Sequence, residues 1–212
     1  MADNKEAAVA WWAELIRIVP GTLWPLIVIG ILIFYRQPII RTLGRLKAFE
    51  GLGIKLQLAE EEIKKAAEEK SQPFSSKIQN RLLNRLSLVG HSFKNARILW
   101  VDDHPENNMH EIEALKSLGV SVDLVQSSKD AVRELSAASL GYDLILSDMN
   151  RNGIPGEGIA FARKLSASSP LLIIYCGPQD AQKEIPRSVF GITEKPVELL
   201  HLVADALERR RL

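Results

Sequence analysis

The chain has 212 residues, 46% hydrophobic and 25% charged, with a formal net charge of +1. This composition excludes general disorder, and so balanced a charge gives no reason to expect a nucleic-acid partner. One cysteine, Cys176, excludes an internal disulfide and a cysteine-built zinc site, and fits a reducing compartment. The length suits one ordinary domain of about 100–150 residues with something added. The four histidines, His91, His104, His110 and His201, show no metal-ligand spacing and read as ordinary surface or core residues.

Residues 1–18 carry Trp11, Trp12, Leu15, Ile16 and Ile18, a pattern expected of an interfacial helix. Between Arg17 and Arg36 lies IVPGTLWPLIVIGILIFY, eighteen residues without a charge. That is close to the span of about 20 residues that crosses a bilayer, and it has no polar face, so residues 19–36 are expected to form a transmembrane helix. A cleaved signal peptide fits less well, because the preceding stretch is not net positive and no small-residue cleavage site follows. Arg36, Arg41, Arg45, Lys47 and Lys55 follow the span, opposed by Glu50 alone. The positive-inside rule then predicts a single-pass protein of the inner, cytoplasmic membrane with its C-terminal bulk in the cytoplasm.

Residues 37–95 form a basic juxtamembrane and linker region. Ile54, Leu56 and Leu58 alternate within FEGLGIKLQL (Phe49–Leu58), predicting a short strand or extended arm. AEEEIKKAAEEK (Ala59–Lys70) consists of strong helix formers with a thin apolar stripe, Ile63 among alanines, and predicts a solvated helix. Ser71-Gln72-Pro73 breaks it, and Ser75 or Ser76 can cap a second helix. On that helix Ile78, Leu82, Leu86 and Val89 share one stripe, which suits either a partner chain or the surface of the next domain.

From Ala96 to the C-terminus the pattern alternates regularly. ARILWV is a continuous apolar strand, and PENNMHEIEALKSLG a helix stopped by Gly119. VSVDLVQ, YDLILSD, LLIIYCG and SVFGITEKP read as further strands. SKDAVRELSAAS, GEGIAFARKLSASS and VELLHLVADALERR read as helices. Buried strands alternating with helices imply an α/β fold with a parallel sheet covered on both faces. Ligands of such sheets sit beyond the carboxyl ends of the strands.

At those ends the first strand carries Asp102 and Asp103, the third Asp148, the fourth Cys176 and the fifth Lys195. Singly, Asp103 before Pro105 could be a helix cap and Asp148 a turn residue. Together, three carboxylates at one edge repel one another unless a cation is present, and hard oxygen ligands suit Mg2+. A lysine beside them suits a phosphoryl group, so the chemistry indicated is phosphoryl transfer to a carboxylate.

The paired acids of VDDHP, the single acid of LILSDMN and the lysine of TEKP together resemble the receiver domain of bacterial two-component response regulators, over about residues 96–212. The resemblance implies a flavodoxin-like five-stranded sheet of order 2-1-3-4-5. It implies that Asp148 is the phosphoacceptor, supplied by a histidine kinase or phosphotransfer protein. By the same analogy Asp102, Asp103, Asp148 and the main-chain carbonyl of Asn150 hold Mg2+, while Lys195 grips the phosphate, with room for a cis bond to Pro196. No enzymatic turnover is implied beyond phosphorylation and dephosphorylation of that aspartate.

Three departures stand out. Cys176 occupies the place where the family has a Thr or Ser switch, and its thiol is a weak donor. Ile192 stands where an aromatic residue is common, and RNGIPGEG is longer than the usual loop while IPRSVFG leaves little room for a full fourth helix. One alternative is therefore a degenerate receiver, a phosphorylation-independent binding platform with the membrane helix as effector. A homodimer or another protein partner serves output in either case, since the terminal arginines of ALERRRL suit a helix C-terminus better than a nucleic acid. An aspartate-based phosphatase is a poorer alternative, because its two acids would stand at alternate positions rather than adjacent ones.

Overall fold

The computed structural model describes residues 36–138, 141–177 and 188–211, together with Ile29, Phe34 and Pro186. The expected interfacial segment 1–18 and nearly all of the expected span 19–36 lie outside the described residues. Among the described residues no helix is long and apolar enough to cross a membrane. The chain divides into two compact units, residues 1–51 and 52–212, and the second contains all five strands.

Helix α1 runs from Arg36 to Glu69. The strand expected over Phe49–Leu58 is therefore helical, as part of α1. Its alternating Ile54 and Leu58 are 60% and 48% exposed, and Lys55 and Gln57 between them are good helix formers. The expected solvated helix over Ala59–Lys70 also needs correcting. Ala59, Ile63, Ala66 and Ala67 are all fully buried, and Leu56 packs on the same cluster. These positions recur at helical spacing, and alanine makes a stripe look thin while letting two backbones approach closely. The helix ends where Ser71 takes a positive φ of 52° and Gln72 N–H returns to the Ala67 carbonyl.

Ser75 caps helix α2 (Ser76–Phe93) by accepting from Ile78 N–H. Of its expected stripe, Leu82, Leu86 and Val89 are buried against the rest of the domain and Ile78 is half-buried, so the second of the two expectations for it holds, with Phe93 extending the buried side.

The sheet has strands β1 (Arg97–Val101), β2 (Ser121–Val125), β3 (Leu144–Asp148), β4 (Leu171–Tyr175) and β5 (Val189–Thr193), all parallel, in the order 2-1-3-4-5. A single 3-10 turn, Pro105–Asn108, leads into α3 (Met109–Ser117); α4 (Ser128–Ala137), α5 (Glu157–Lys164) and α6 (Pro196–Arg211) follow the later strands. This is the flavodoxin-like arrangement expected. The residues between β4 and β5 that were expected to shorten the fourth helix lie largely outside the described residues. One face of the sheet packs Trp100, Leu146 and Tyr175 against α1, α2, α3 and α6; the other packs Leu99, Ile145 and Ile174 against α4 and α5. Central strands buried on both faces need apolar side chains at every position, which explains the unbroken runs ILWV and LLII.

An acidic cleft at the carboxyl rim of the sheet

Register brings the acids together. Val101 pairs with Ser147, so Asp102 and Asp148 leave the sheet level with each other on neighbouring strands. Asp103 follows in the bend beyond β1. One carboxylate oxygen from each of Asp102, Asp103 and Asp148 lies within 4.8 Å of the other two.

Each acid is held. Asp102, buried at 4% exposure, accepts from His104 N–H at 2.9 Å and from Asn108 Nδ2 at 2.7 Å. Asp103 accepts from Asn152 N–H at 2.7 Å, tying the two loops of the rim together. Asp148 accepts from Met149 N–H at 2.7 Å. Burial, followed by the nearby Asp102 charge, pushes the Asp148 carboxyl up to about 6, against the lowering effects of main-chain N–H groups and Arg151. Three oxygen donors so placed form a set that a hard divalent cation fits, and a cation there would relieve the repulsion that raises Asp148.

Arg151 is the residue that sequence reasoning missed. Its side chain is fully buried and donates to Ser147 Oγ at 2.5 Å, to Ser128 Oγ at 2.8 Å and to the Asp148 carbonyl. A buried guanidinium beneath an acidic cleft offsets part of its charge. Nothing in RNGIPGEG announces this, since arginine in a loop ordinarily faces water. That long loop is compact: Arg151 and Ile154 form a bridge, and Asn150 Oδ1 accepts from Gly156 N–H at 2.8 Å.

The other expected residues divide. Asn150 and Cys176 line the same cleft as the three acids. The Cys176 thiol is directed at the Thr193 carbonyl, 3.7 Å away. Lys195 stands just beyond the end of β5. It is exposed, its main-chain N–H donates to Thr193 Oγ1 at 3.1 Å, and it borders a neighbouring groove with Gln72, Arg81 and His201. The Lys195–Pro196 bond is trans, so the cis bond allowed for is not found. Lys70, from just beyond α1, lines the acidic cleft.

The strand order and the acid cluster define a flavodoxin-like α/β domain with an acidic rim at the ends of β1 and β3. No protein-family model matches the chain, and no curated protein does. Similar solved structures include a mutant of the anti-anti-sigma factor PhyR from Bartonella quintana, at 20% identity over 65% of this chain and 59% of that one, with a TM-score of 0.49. A two-component response regulator from Clostridium difficile is 20% identical over 55% of this chain and 98% of its own, with a TM-score of 0.45. Response regulator protein TrrA from Thermotoga maritima, solved in complex with Mg2+ and BeF, is 20% identical over 52% and 98% of the two chains, with a TM-score of 0.45. The chain thus spans somewhat over half of PhyR and nearly all of the other two, and the likeness is one of fold.

Proposed function

We propose that residues 96–212 form a receiver-like signalling unit whose Asp148 accepts a phosphoryl group from a histidine kinase or phosphotransfer protein. The observation that supports this reading most directly is the convergence of Asp102 and Asp103 on Asp148, with the Asp148 carboxyl raised by burial and by its neighbour's charge. The carboxylate form of Asp148 is the nucleophile. One of its oxygens attacks phosphorus, an O–P bond forms, the P–N bond to the donor imidazole breaks, and the imidazole leaves with the electron pair and gains a proton from water. Asp102 and Asp103, with Asp148 and the Asn150 carbonyl, are the residues that would hold Mg2+. When bound, that ion would supply charge neutralisation for the incoming phosphoryl group. Around it, the chain's own groups do the positioning: Asn108 and His104 N–H aim Asp102, Asn152 N–H aims Asp103, and Arg151 fixes the Asp148 main chain.

The apolar run at 18–35 extends the proposal to a membrane-anchored, cytoplasm-facing protein that acts through protein contacts, as a homodimer or with another chain. One observation favours a second reading, a platform that binds regardless of phosphorylation. The thiol of Cys176 is engaged with the β5 main chain, a weak substitute for a switching hydroxyl. Incubation of the full chain with Mg2+ and a labelled phosphohistidine donor tests the main reading. Wild type should gain a base-labile acyl phosphate that Asp148→Asn abolishes. Absence of label from wild type, or equal label on the variant, would leave the platform reading standing alone.

A further inference from the structure

We infer that Lys70, carried at the end of α1, is the ammonium that meets a phosphoryl oxygen on Asp148. This rests on the phosphoacceptor reading and names a residue that the receiver resemblance does not supply. Lys70 and Asp148 line one cleft, whereas Lys195 borders another. Lys70 Nζ donates to Glu111 Oε1 at 2.8 Å, to Asn108 Oδ1 at 2.9 Å and to the Asn107 carbonyl at 3.3 Å. By accepting at Oδ1, Asn108 presents its Nδ2 to Asp102, so the ammonium stands two hydrogen bonds from a cluster carboxylate. It also lies 5.0 Å from the centre of the Tyr175 ring, and Tyr175 is the residue paired with Asp148 across β3 and β4.

The support beneath Lys70 is fixed. Glu111 is only 1% exposed and also accepts from Tyr175 Oη at 2.6 Å, so it cannot follow solvent or leave the core. An ammonium has three donors. Two are spent on Glu111 and Asn108, and the third makes only the long contact with the Asn107 carbonyl. That third donor is the one a phosphoryl oxygen takes, without loss of the buried ion pair. The competing explanation is that Lys70 is merely the counter-ion of Glu111. The two explanations differ in sign at Glu111. A counter-ion role makes Lys70→Met and Glu111→Gln equivalent, whereas a phosphate-binding role makes Glu111→Gln release Lys70 toward the cleft.

The probe is beryllofluoride with Mg2+, titrated by calorimetry into the full chain, with unfolding temperatures recorded in parallel. Lys70→Met should weaken binding by about tenfold or more, the worth of one charge-assisted hydrogen bond. Lys70→Arg should retain most of the affinity. Glu111→Gln should bind as tightly as wild type or more tightly, even where its unfolding temperature falls as far as that of Lys70→Met. Wild-type affinity in Lys70→Met, or equal losses in Lys70→Met and Glu111→Gln, would overturn the assignment while leaving Asp148 as acceptor. No binding by wild type would overturn both.

Discussion

Gly158 and Asp148 approach so closely that a β-carbon on Gly158 would stand 2.4 Å from the Asp148 carbonyl oxygen and 3.1 Å from the Met149 α-carbon. The first turn of α5 is thereby seated on the end of β3, and Gly158 N–H donates to the Met149 carbonyl at 2.9 Å. In an ordinary helix, Gly→Ala stabilises by up to about 1 kcal/mol. Here the methyl meets backbone that cannot swing aside. Gly158→Ala should destabilise by about 1–3 kcal/mol in denaturant unfolding and weaken the Mg2+ binding proposed for this rim, because relief requires the Asp148 main chain to move. A stabilised variant would contradict the close approach.

Arg151 binds Ser147, Ser128 and the Asp148 carbonyl from within the core. Arg151→Leu should cost about 2–4 kcal/mol, since it removes three buried hydrogen bonds of a guanidinium and a cation facing the acids. Arg151→Lys should rescue little, because one ammonium cannot span the planar guanidinium's contacts. The Asp148 carboxyl should move above its present value of about 6 when that cation is gone. Carboxyl titration by NMR in chelator-treated protein reads this shift, and a downward movement would contradict it.

His110 clamps α3 to α1, with Nδ1 2.5 Å from Glu62 Oε2 and Nε2 3.2 Å from Glu69 Oε1. The hydrogen bond to Glu62, then the Glu69 charge, raises its pKa over the opposing effect of burial. A histidine raised on folding contributes stability that is fully present below the unfolded value of about 6.5 and is lost as pH rises through the higher folded value. Unfolding free energies of wild type and His110→Gln should therefore differ most near pH 6 and converge in mildly alkaline solution. The gap should be about 1 kcal/mol or less for so accessible a cluster. A gap independent of pH would rule out a charged clamp.

Leu86 is fully buried where α2 meets α6, while Leu88, two residues on, is 74% exposed. Leu86→Ala should cost about 2–5 kcal/mol, and Leu88→Ala should stay within about 0.5 kcal/mol. Arg85 reaches Asp205 and Glu208 on α6 across the same seam, yet these groups are about one-third to one-half exposed and add little. Equal tolerance of both leucine variants would mean that α2 does not belong to this core.

The parallel sheet was legible because its central strands are buried on both faces, so ILWV, LILS and LLII stand out as runs whose order needs no long-range information. Ser75 and Gly119 were legible for a similar reason, since a cap and a left-handed stop are local demands of the backbone. The acidic cleft followed from topology: every strand of a parallel sheet delivers its last residue to one rim, and Asp102, Asp103 and Asp148 are such residues. Much of α1 was not legible. Alternation at Ile54, Leu56 and Leu58 mimics a strand over five residues, and the stripe of Ala59, Ala66 and Ala67 looks unimportant until a neighbour lies against it.

What the sequence determined alone is whatever the chain settles within a few residues: the apolar runs of the sheet strands, the caps, and which side chains follow each of those strands. Tertiary structure alone decided where the long basic side chains near those acids come to rest. Arg151 folds inward against the Asp148 main chain, and Lys70, more than thirty residues before Asp102, pairs with the buried Glu111 beside the cleft. A long basic side chain can travel several ångströms from its backbone, and its destination depends on which buried acceptors the finished fold leaves for it.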